Sequence, residues 1–279
     1  MSVSVSATEF LLRQIPKNCD FRSMLDKFRR RSYQLEHLDK GDYSPEEYEG
    51  CIVELQLVNE WLGDARALRN TLFKEIEENG LQCFSLLDVG AGSGELLRVT
   101  ARWTRWTSRR AREVGLELNE RSATAILKES KDFTEISAVR GDALRLPFPN
   151  DQFDYAICSL FTHHFVENQI VEILREMSRV AKRKIFVIDL HRHAVAYYFY
   201  TTIGKLFLHN RLIREDGALS ILRGFKPDEL FTLAEDAGLE NISVSRHFPY
   251  RLVVSATAPR REVRQDDSAA GSGPAERAA

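Results

Sequence analysis

Apolar residues in the first 80 positions recur every three to four residues, which is the period of a helix with one buried face. Met24, Leu25 and Phe28 set that spacing over Arg22–Leu38. A turn at Gly41-Asp42-Tyr43-Ser44-Pro45 follows, with Ser44 placed as an N-cap and Pro45 at the first helical position. Tyr48, Ile52, Leu55, Val58 and Leu62 then predict a helix over Glu46–Leu62, and a third spans Ala65–Asn79 before Gly80 stops it. From Leu81 the period changes. Short, nearly continuous apolar runs at Phe84–Val89, Arg112–Leu118, Ile136–Arg140, Tyr155–Leu160 and Lys184–Leu190 alternate with helical patterns at Glu95–Trp106, Asn119–Lys131 and Val166–Ala181. Such alternation marks a parallel sheet covered on both faces. A helical stretch from His193 to Asn210 interrupts it; a helix at Pro227–Ala237, closed by Gly238, resumes it. Asn241–His247 and Arg251–Ala258 are joined only by Phe248-Pro249-Tyr250, so those two strands pair antiparallel. The expected organisation is a helical cap (1–80), an α/β core (81–258) with a helical insertion at 190–224, and a tail at 259–279 of disordered composition.

Composition narrows the partners. The 279 residues are 43% hydrophobic, enough for one large domain or a domain with an appendage. A formal net charge of −2 gives no global field for nucleic acid or an anionic membrane, and the runs Arg29-Arg30-Arg31 and Arg109-Arg110 read as solvated helix faces or ends. Cys19, Cys51, Cys83 and Cys158 are scattered without metal spacing, as expected of free thiols in a reducing compartment. The first residues lack a secretory pattern, and no run approaches the roughly 18 apolar residues of a membrane span. A cytoplasmic protein, monomeric or homodimeric, is expected.

"DVGAGSGE" (88–95) places three glycines on alternate positions between a strand and a helix. It lacks the Lys-Ser or Lys-Thr of a phosphate loop. Glu95 stands where a dinucleotide fingerprint needs its third glycine, and a carboxylate there would repel a pyrophosphate. The acids fit a different ligand. Glu117 ends the second strand about 20 residues on, where a carboxylate can accept both hydroxyls of a ribose. Asp142 in "GDALRLPF" follows the third strand and could accept from an adenine amino group, and Asp88 could face an ammonium. An adenosine joined to an amino acid, cationic at sulfur and nitrogen, is the shape of S-adenosylmethionine (SAM).

The motifs "LLDVGAGSGE", "VGLELNE", "VRGDALRLPFPNDQFDYAICSLFTHHF", "ILREMSRVAKRKIFVIDL" and "GFKPDELFTLAEDAGL" run in order through residues 84–258. Over that span the chain resembles a class I SAM-dependent methyltransferase. Its likeness is to the small-molecule branch with the ubiquinone and menaquinone enzymes and, more loosely, to bacterial polyketide and phenolic-lipid methyltransferases. The resemblance implies a Rossmann-like seven-stranded sheet of order 3-2-1-4-5-7-6, strand 7 antiparallel, with helices on both faces. It also implies SAM as cofactor and S-adenosylhomocysteine as product. Gly90, Gly92 and Gly94 would line the methionine end, Glu117 the ribose, Leu118, Asp142 and Ala143 the adenine, and Ser159 the sulfonium. Lys182-Arg183-Lys184 departs from the family's Pro-Gly-Gly before strand 5, which concerns a turn remote from the cofactor.

Methylating a hydroxyl needs a base near neutrality, which makes histidine the natural group. His163 and His164 follow strand 4 and are the catalytic candidates; relatives carry a similar pair in which the histidine helps hold the loop. His191, Arg192 and His193 follow strand 5 and face the same mouth, or cap and cover it. No arrangement of Asp and Asn suggests a divalent metal, so none is expected. The insertion gathers Tyr197, Tyr198, Phe199, Tyr200 and Phe207 on a helix, followed by a loop with Arg211, Arg214, Asp216 and Arg223. It is either a lid with an aromatic wall for an apolar acceptor or a helix docked on the N-terminal ones by its aromatics. Trp61, Arg192, Tyr197 and Arg223 are the acceptor-contacting candidates. Phenolic O-methylation leads, with C-methylation of a quinol-type ring next. An RNA or protein methyltransferase, or a SAM-binding protein without turnover, remains open.

Overall fold

A computed structural model describes residues 25–44, 46–47, 50–51, 63–204 and 208–258. Its centre is a seven-stranded sheet: β1 (Cys83–Val89), β2 (Arg110–Glu117), β3 (Ile136–Arg140), β4 (Phe153–Ser159), β5 (Ala181–Leu190), β6 (Glu240–His247) and β7 (Arg251–Thr257). The order is β3-β2-β1-β4-β5-β7-β6, with β7 antiparallel to both neighbours and the other pairings parallel. This is the Rossmann-like architecture expected.

Alternate residues of each strand enter opposite layers, which is why the strands read as unbroken apolar runs. Leu87, Val114, Ala156 and Val187 pack beneath α6 (Glu167–Val180) and α9 (Pro227–Asp236). Leu86, Tyr155, Ile157 and Phe186 pack on the other side against α4 (Glu95–Trp106) and the N-terminal helical run. That run comprises α2 (Asp64–Leu68), a π turn at Arg69–Phe73 and α3 (Lys74–Glu78). A buried ion pair of Asp64 with Arg251 fastens it to the start of β7. Helix α5 (Glu120–Glu129) begins where the Asn119 side chain accepts the Arg121 amide at 2.8 Å. In α9, Pro227 occupies the first turn and Glu229 accepts the Lys226 amide at 2.8 Å.

Two segments depart from the pattern. The helix expected over Arg22–Leu38 does not continue: residues 31–36 have no regular structure, and only the short α1 (His37–Lys40) follows. Arg31 and Glu36 are buried deep in the molecule, and the straightened chain delivers both there. The stretch expected as a loop after the insertion helix is instead α8 (Arg211–Arg223), capped by Asn210, whose side chain accepts the Leu212 amide at 2.8 Å. Its amphipathic signature is weak because Asp216 and Arg223 face inward. The aromatic helix α7 spans Ala194–Thr202. Most of the expected Glu46–Leu62 helix, Trp61, Phe207 and the 259–279 tail lie outside the described residues. No helix among the described residues is long and apolar enough to cross a membrane.

Candidate functional site

The carboxyl ends of β1, β2, β3 and β4 meet on one edge of the sheet, and the glycine loop wraps it. Gly90 and Ala91 both donate to the Leu116 carbonyl, at 2.9 and 3.2 Å, drawing the loop over β2. Gly90 is confined twice: its φ is +70°, and a Cβ there would lie 2.3 Å from the Phe161 ring. The Gly92 amide donates to Glu117 Oε1 at 2.5 Å. Burial raises the Glu117 carboxyl above its ordinary range. Asp88 lies fully inside, opposite Gly115 of β2 and Ile157 of β4, and burial, then the Glu117 charge, push it up to about 8.

Past β3, Asp142 accepts the Leu144 amide at 2.9 Å; Ala143 is buried and Leu118 is exposed. The Ser159 hydroxyl is buried with no partner among the described residues. Arg98 is the cation beside the loop, and it is tied to the Ser93 carbonyl at 2.6 Å and Glu129 at 3.0 Å. Two desolvated acids, an orphaned hydroxyl and an occupied arginine suit a cationic ligand and not a phosphate.

Beyond β4 the chain turns through Leu160, a non-glycine residue at φ +50°, a costly conformation of the kind concentrated at functional sites. A 3₁₀ turn at Thr162–His164 follows. Asp189, near the end of β5, organises it. Its Oδ2 accepts the Thr162 hydroxyl at 2.6 Å and the His163 amide at 3.1 Å, while Oδ1 accepts the Leu190 amide at 2.7 Å and contacts His163 Nδ1 at 2.7 Å. Burial alone would raise this carboxyl; the His163 imidazole and these hydrogen bonds hold it well below the ordinary range. An ionised carboxylate only accepts, so a hydrogen sits on Nδ1, and in the neutral tautomer of the ring the lone pair is on Nε2. His163 is buried, and Glu36 Oε1 lies 4.0 Å from that Nε2.

Glu36 accepts the Ser220 hydroxyl at 2.7 Å and stands 3.9 Å from Arg223 Nε; burial raises it despite the opposing pull of His164, Ser220 and Arg223. His164 is half-buried, its ring 4.2 Å from that of His163 and its Nδ1 3.5 Å from Asp39 without hydrogen-bond geometry. Burial would raise Asp39, yet His164 and Arg223 bring it down to about 2. Donor atoms of Glu36, His163 and His164 fall within 4.8 Å of one another. The Arg223 guanidinium already faces that carboxylate, which disfavours a second cation.

The acceptor-contacting candidates fare differently. Arg192 is enclosed and does not face the mouth: it donates to the carbonyls of Phe28 at 3.1 Å and Gly224 at 2.6 Å and meets Glu229 at 2.5 Å. Arg223 is likewise a tie, donating to the carbonyls of His163 at 3.0 Å and Gln34 at 3.1 Å and to Asp39 at 2.9 Å. Tyr197 packs edge-on to Phe28 at 5.5 Å, beneath Lys27, so it docks α7 onto the N-terminal segment. His193 caps α7 by accepting the Val195 amide, and His191 is driven down to about 4 by burial and then by the charge of His193. Trp61 lies outside the described residues.

Sequence reasoning missed Asp189, Glu36, Asp39 and Arg31. Asp189 carried a signal, a lone acid closing the apolar run "KIFVIDL". Arg31 sat in a basic run read as solvated, yet it donates to the carbonyls of Arg223, His163 and Phe165.

Comparison with known proteins adds four findings. The model of the family described as "Methyltransferase domain" matches residues 87–188. The demethylmenaquinone methyltransferase of Bacillus licheniformis is 25% identical over 189 residues, 61% of this chain and 75% of that protein. The ubiquinone/menaquinone biosynthesis C-methyltransferase of Yersinia enterocolitica is 26% identical over 175 residues, 57% of this chain and 68% of that one. The crystal structure of the CurJ carbon methyltransferase superposes with a TM-score of 0.59 at 12% identity, covering 92% of this chain and 72% of its own, a likeness of fold.

Proposed function

We propose that this chain, a class I SAM-dependent methyltransferase, methylates a small, largely apolar acceptor bearing a phenolic hydroxyl, at a ring carbon activated by that hydroxyl. The observation that carries the reading is the buried imidazole of His163, held by Asp189 with Nε2 as its acceptor atom, one short turn beyond Ser159. The names of the two curated relatives, one for a demethylated quinone and one for C-methylation, support the carbon as the receiving atom.

The donor supplies an electrophilic methyl on a sulfonium, so a new bond to the acceptor forms as the carbon–sulfur bond breaks and sulfur keeps the pair. Asp88 faces the ammonium, and the backbone of the loop at Gly90, Gly92 and Gly94 lines the methionine end. Glu117, with Oε1 on Gly92, keeps its other oxygen for the ribose. Leu118, Asp142 and Ala143 flank the adenine, and the Ser159 hydroxyl lies beneath the sulfur. His163 Nε2 takes the phenolic proton, and Asp189 stabilises the resulting imidazolium without taking the proton itself. The electron pair released at oxygen is delocalised to the ortho carbon. After methyl transfer that carbon gives up its own hydrogen as a proton to solvent, and the electron pair of the broken carbon–hydrogen bond restores aromaticity. The imidazolium returns its proton to the oxygen, so one proton leaves per turnover.

O-methylation is the second reading, favoured because the same base would act on the reacting oxygen itself. Incubation with SAM labelled on the methyl carbon and a set of alkylphenols and hydroquinones tests both. Carbon NMR of the product separates a ring methyl from a methoxyl. Label in RNA or protein with none in a phenol would overturn the reading.

A further inference from the structure

Glu36 has no role in the chemistry above, yet it is buried beside the base. The segment that carries it, residues 31–39, crosses the carboxyl edge of the sheet and is tied down at several points. Ser32 donates to the Leu222 carbonyl at 3.0 Å; Arg31 donates to the His163 and Phe165 carbonyls; the His37 and Leu38 amides donate to Asp216 at 2.7 and 3.1 Å. These ties place a carboxyl group 4.0 Å from His163 Nε2. Two such atoms do not hydrogen-bond at that distance, but one oxygen about 2.8 Å from each closes the gap. Burying a carboxyl costs free energy unless something answers it, and the Ser220 hydroxyl, with Arg223 Nε 3.9 Å away, answers only part.

We propose that Glu36 and His163 Nε2 together hold the hydroxyl oxygen of the acceptor, so that the N-terminal strap supplies half of the acceptor's polar recognition. This rests on the phenolic reading above. The hydroxyl donates its hydrogen to His163 Nε2, and the Glu36 carboxyl, in its protonated form, donates to the same oxygen. The acceptor is thus gripped from two sides and its ring is fixed relative to the methyl donor. Discrimination follows: a methyl ether of the same ring has no hydrogen to donate to His163, and its methyl group does not fit the 4.0 Å between Nε2 and Glu36, so the buried polar pair is left unmet.

The test is a binding titration that does not need turnover. The full chain, with ¹⁵N-labelled histidine and saturated with S-adenosylhomocysteine, is titrated with 1-naphthol and separately with 1-methoxynaphthalene. Naphthol is expected to shift the His163 Nε2 resonance. Glu36→Gln, which keeps the shape and the Ser220 contact, is expected to weaken naphthol binding about tenfold, roughly one good hydrogen bond. Affinity for S-adenosylhomocysteine and for the ether should stay the same. Equal naphthol affinity in wild type and variant overturns the proposal, as does an equal loss for the ether, which would point to shape alone. Failure of wild type to bind naphthol overturns it too. If naphthol binds through Glu36 but receives no labelled methyl from SAM, the Glu36 assignment stands and the phenolic methylation reading falls.

Discussion

Asp88 and Glu117 carry the sharpest electrostatic consequence. An acid whose folded pKa lies near 8 and whose unfolded value is near 3.8 takes up a proton on folding across the interval between them. Raising the pH through that interval therefore removes stability from the ligand-free protein. A cationic ligand beside Asp88 favours the ionised form and reverses this. SAM binding at pH 7 should release a proton, detected by calorimetry in buffers of different ionisation enthalpy; Asp88→Asn should abolish the release. Glu117→Gln, which weakens charge-assisted bonds to two hydroxyls, should lower SAM affinity roughly ten- to a hundredfold. Asp189 has the opposite sign. Its depressed pKa contributes stability above the ordinary carboxylate range, lost as the pH falls through the folded value. Asp189→Asn should leave SAM affinity nearly intact and cut kcat strongly, because an amide can neither fix the Nδ1 hydrogen nor stabilise the imidazolium. An unchanged kcat would remove His163 from the chemistry.

Elements whose buried face is set by local pattern were legible in the sequence, and two segments whose inward positions carry long charged side chains were not. β3 and α4 fall at their expected bounds; α4 turns Leu96, Leu97, Val99 and Ala101 inward, and its buried Thr100 and Thr104 hydroxyls bond carbonyls of their own helix, so the pattern has a local cause. The glycine loop and Glu117 were legible for a similar reason, since a close backbone approach leaves glycines and a strand end leaves an acid. Residues 31–36 and α8 were misread because their inward positions carry Arg31, Glu36, Asp216 and Arg223. Those burials are stabilised only by partners far along the chain, such as Arg223 with Gln34 and Arg31 with Phe165, and a local period holds no record of them. Gly217 in α8 shows the same conflict between local and tertiary effects. Propensity alone says Gly217→Ala should stabilise a helix by about 1 kcal/mol. A Cβ there, however, would lie 2.1 Å from the Tyr200 hydroxyl, which donates to the Ile213 carbonyl at 2.5 Å. The contact should win, with a net loss of about 1–3 kcal/mol in denaturant unfolding. Tyr200→Ala should remove most of the penalty in the double variant.

Across the whole molecule, three buried guanidiniums join the N-terminal segment to the carboxyl edge of the sheet. Arg31 reaches the 3₁₀ turn and the end of α8; Arg223 reaches back to Gln34 and Asp39; Arg192 holds Phe28 and Gly224 at once. Each uses the planar fork of arginine on several acceptors, which a lysine ammonium cannot reproduce. The glycine loop, Asp88 and Glu117 belong to the sheet and are independent of these ties. The two halves of the site should therefore separate. Arg192→Lys keeps a charge for Glu229 but abandons one or both carbonyls, loosening the segment that leads into residues 31–36. SAM affinity should change by no more than about threefold, while KM for a phenolic acceptor rises about tenfold and cleavage near residues 31–36 by a nonspecific protease quickens. Adding an acceptor should restore part of the variant's protease protection, because a ligand that binds only the docked strap shifts its equilibrium toward docking. Parallel losses of SAM and acceptor affinity would show that the strap is a general brace, and that the acceptor end has no separate control.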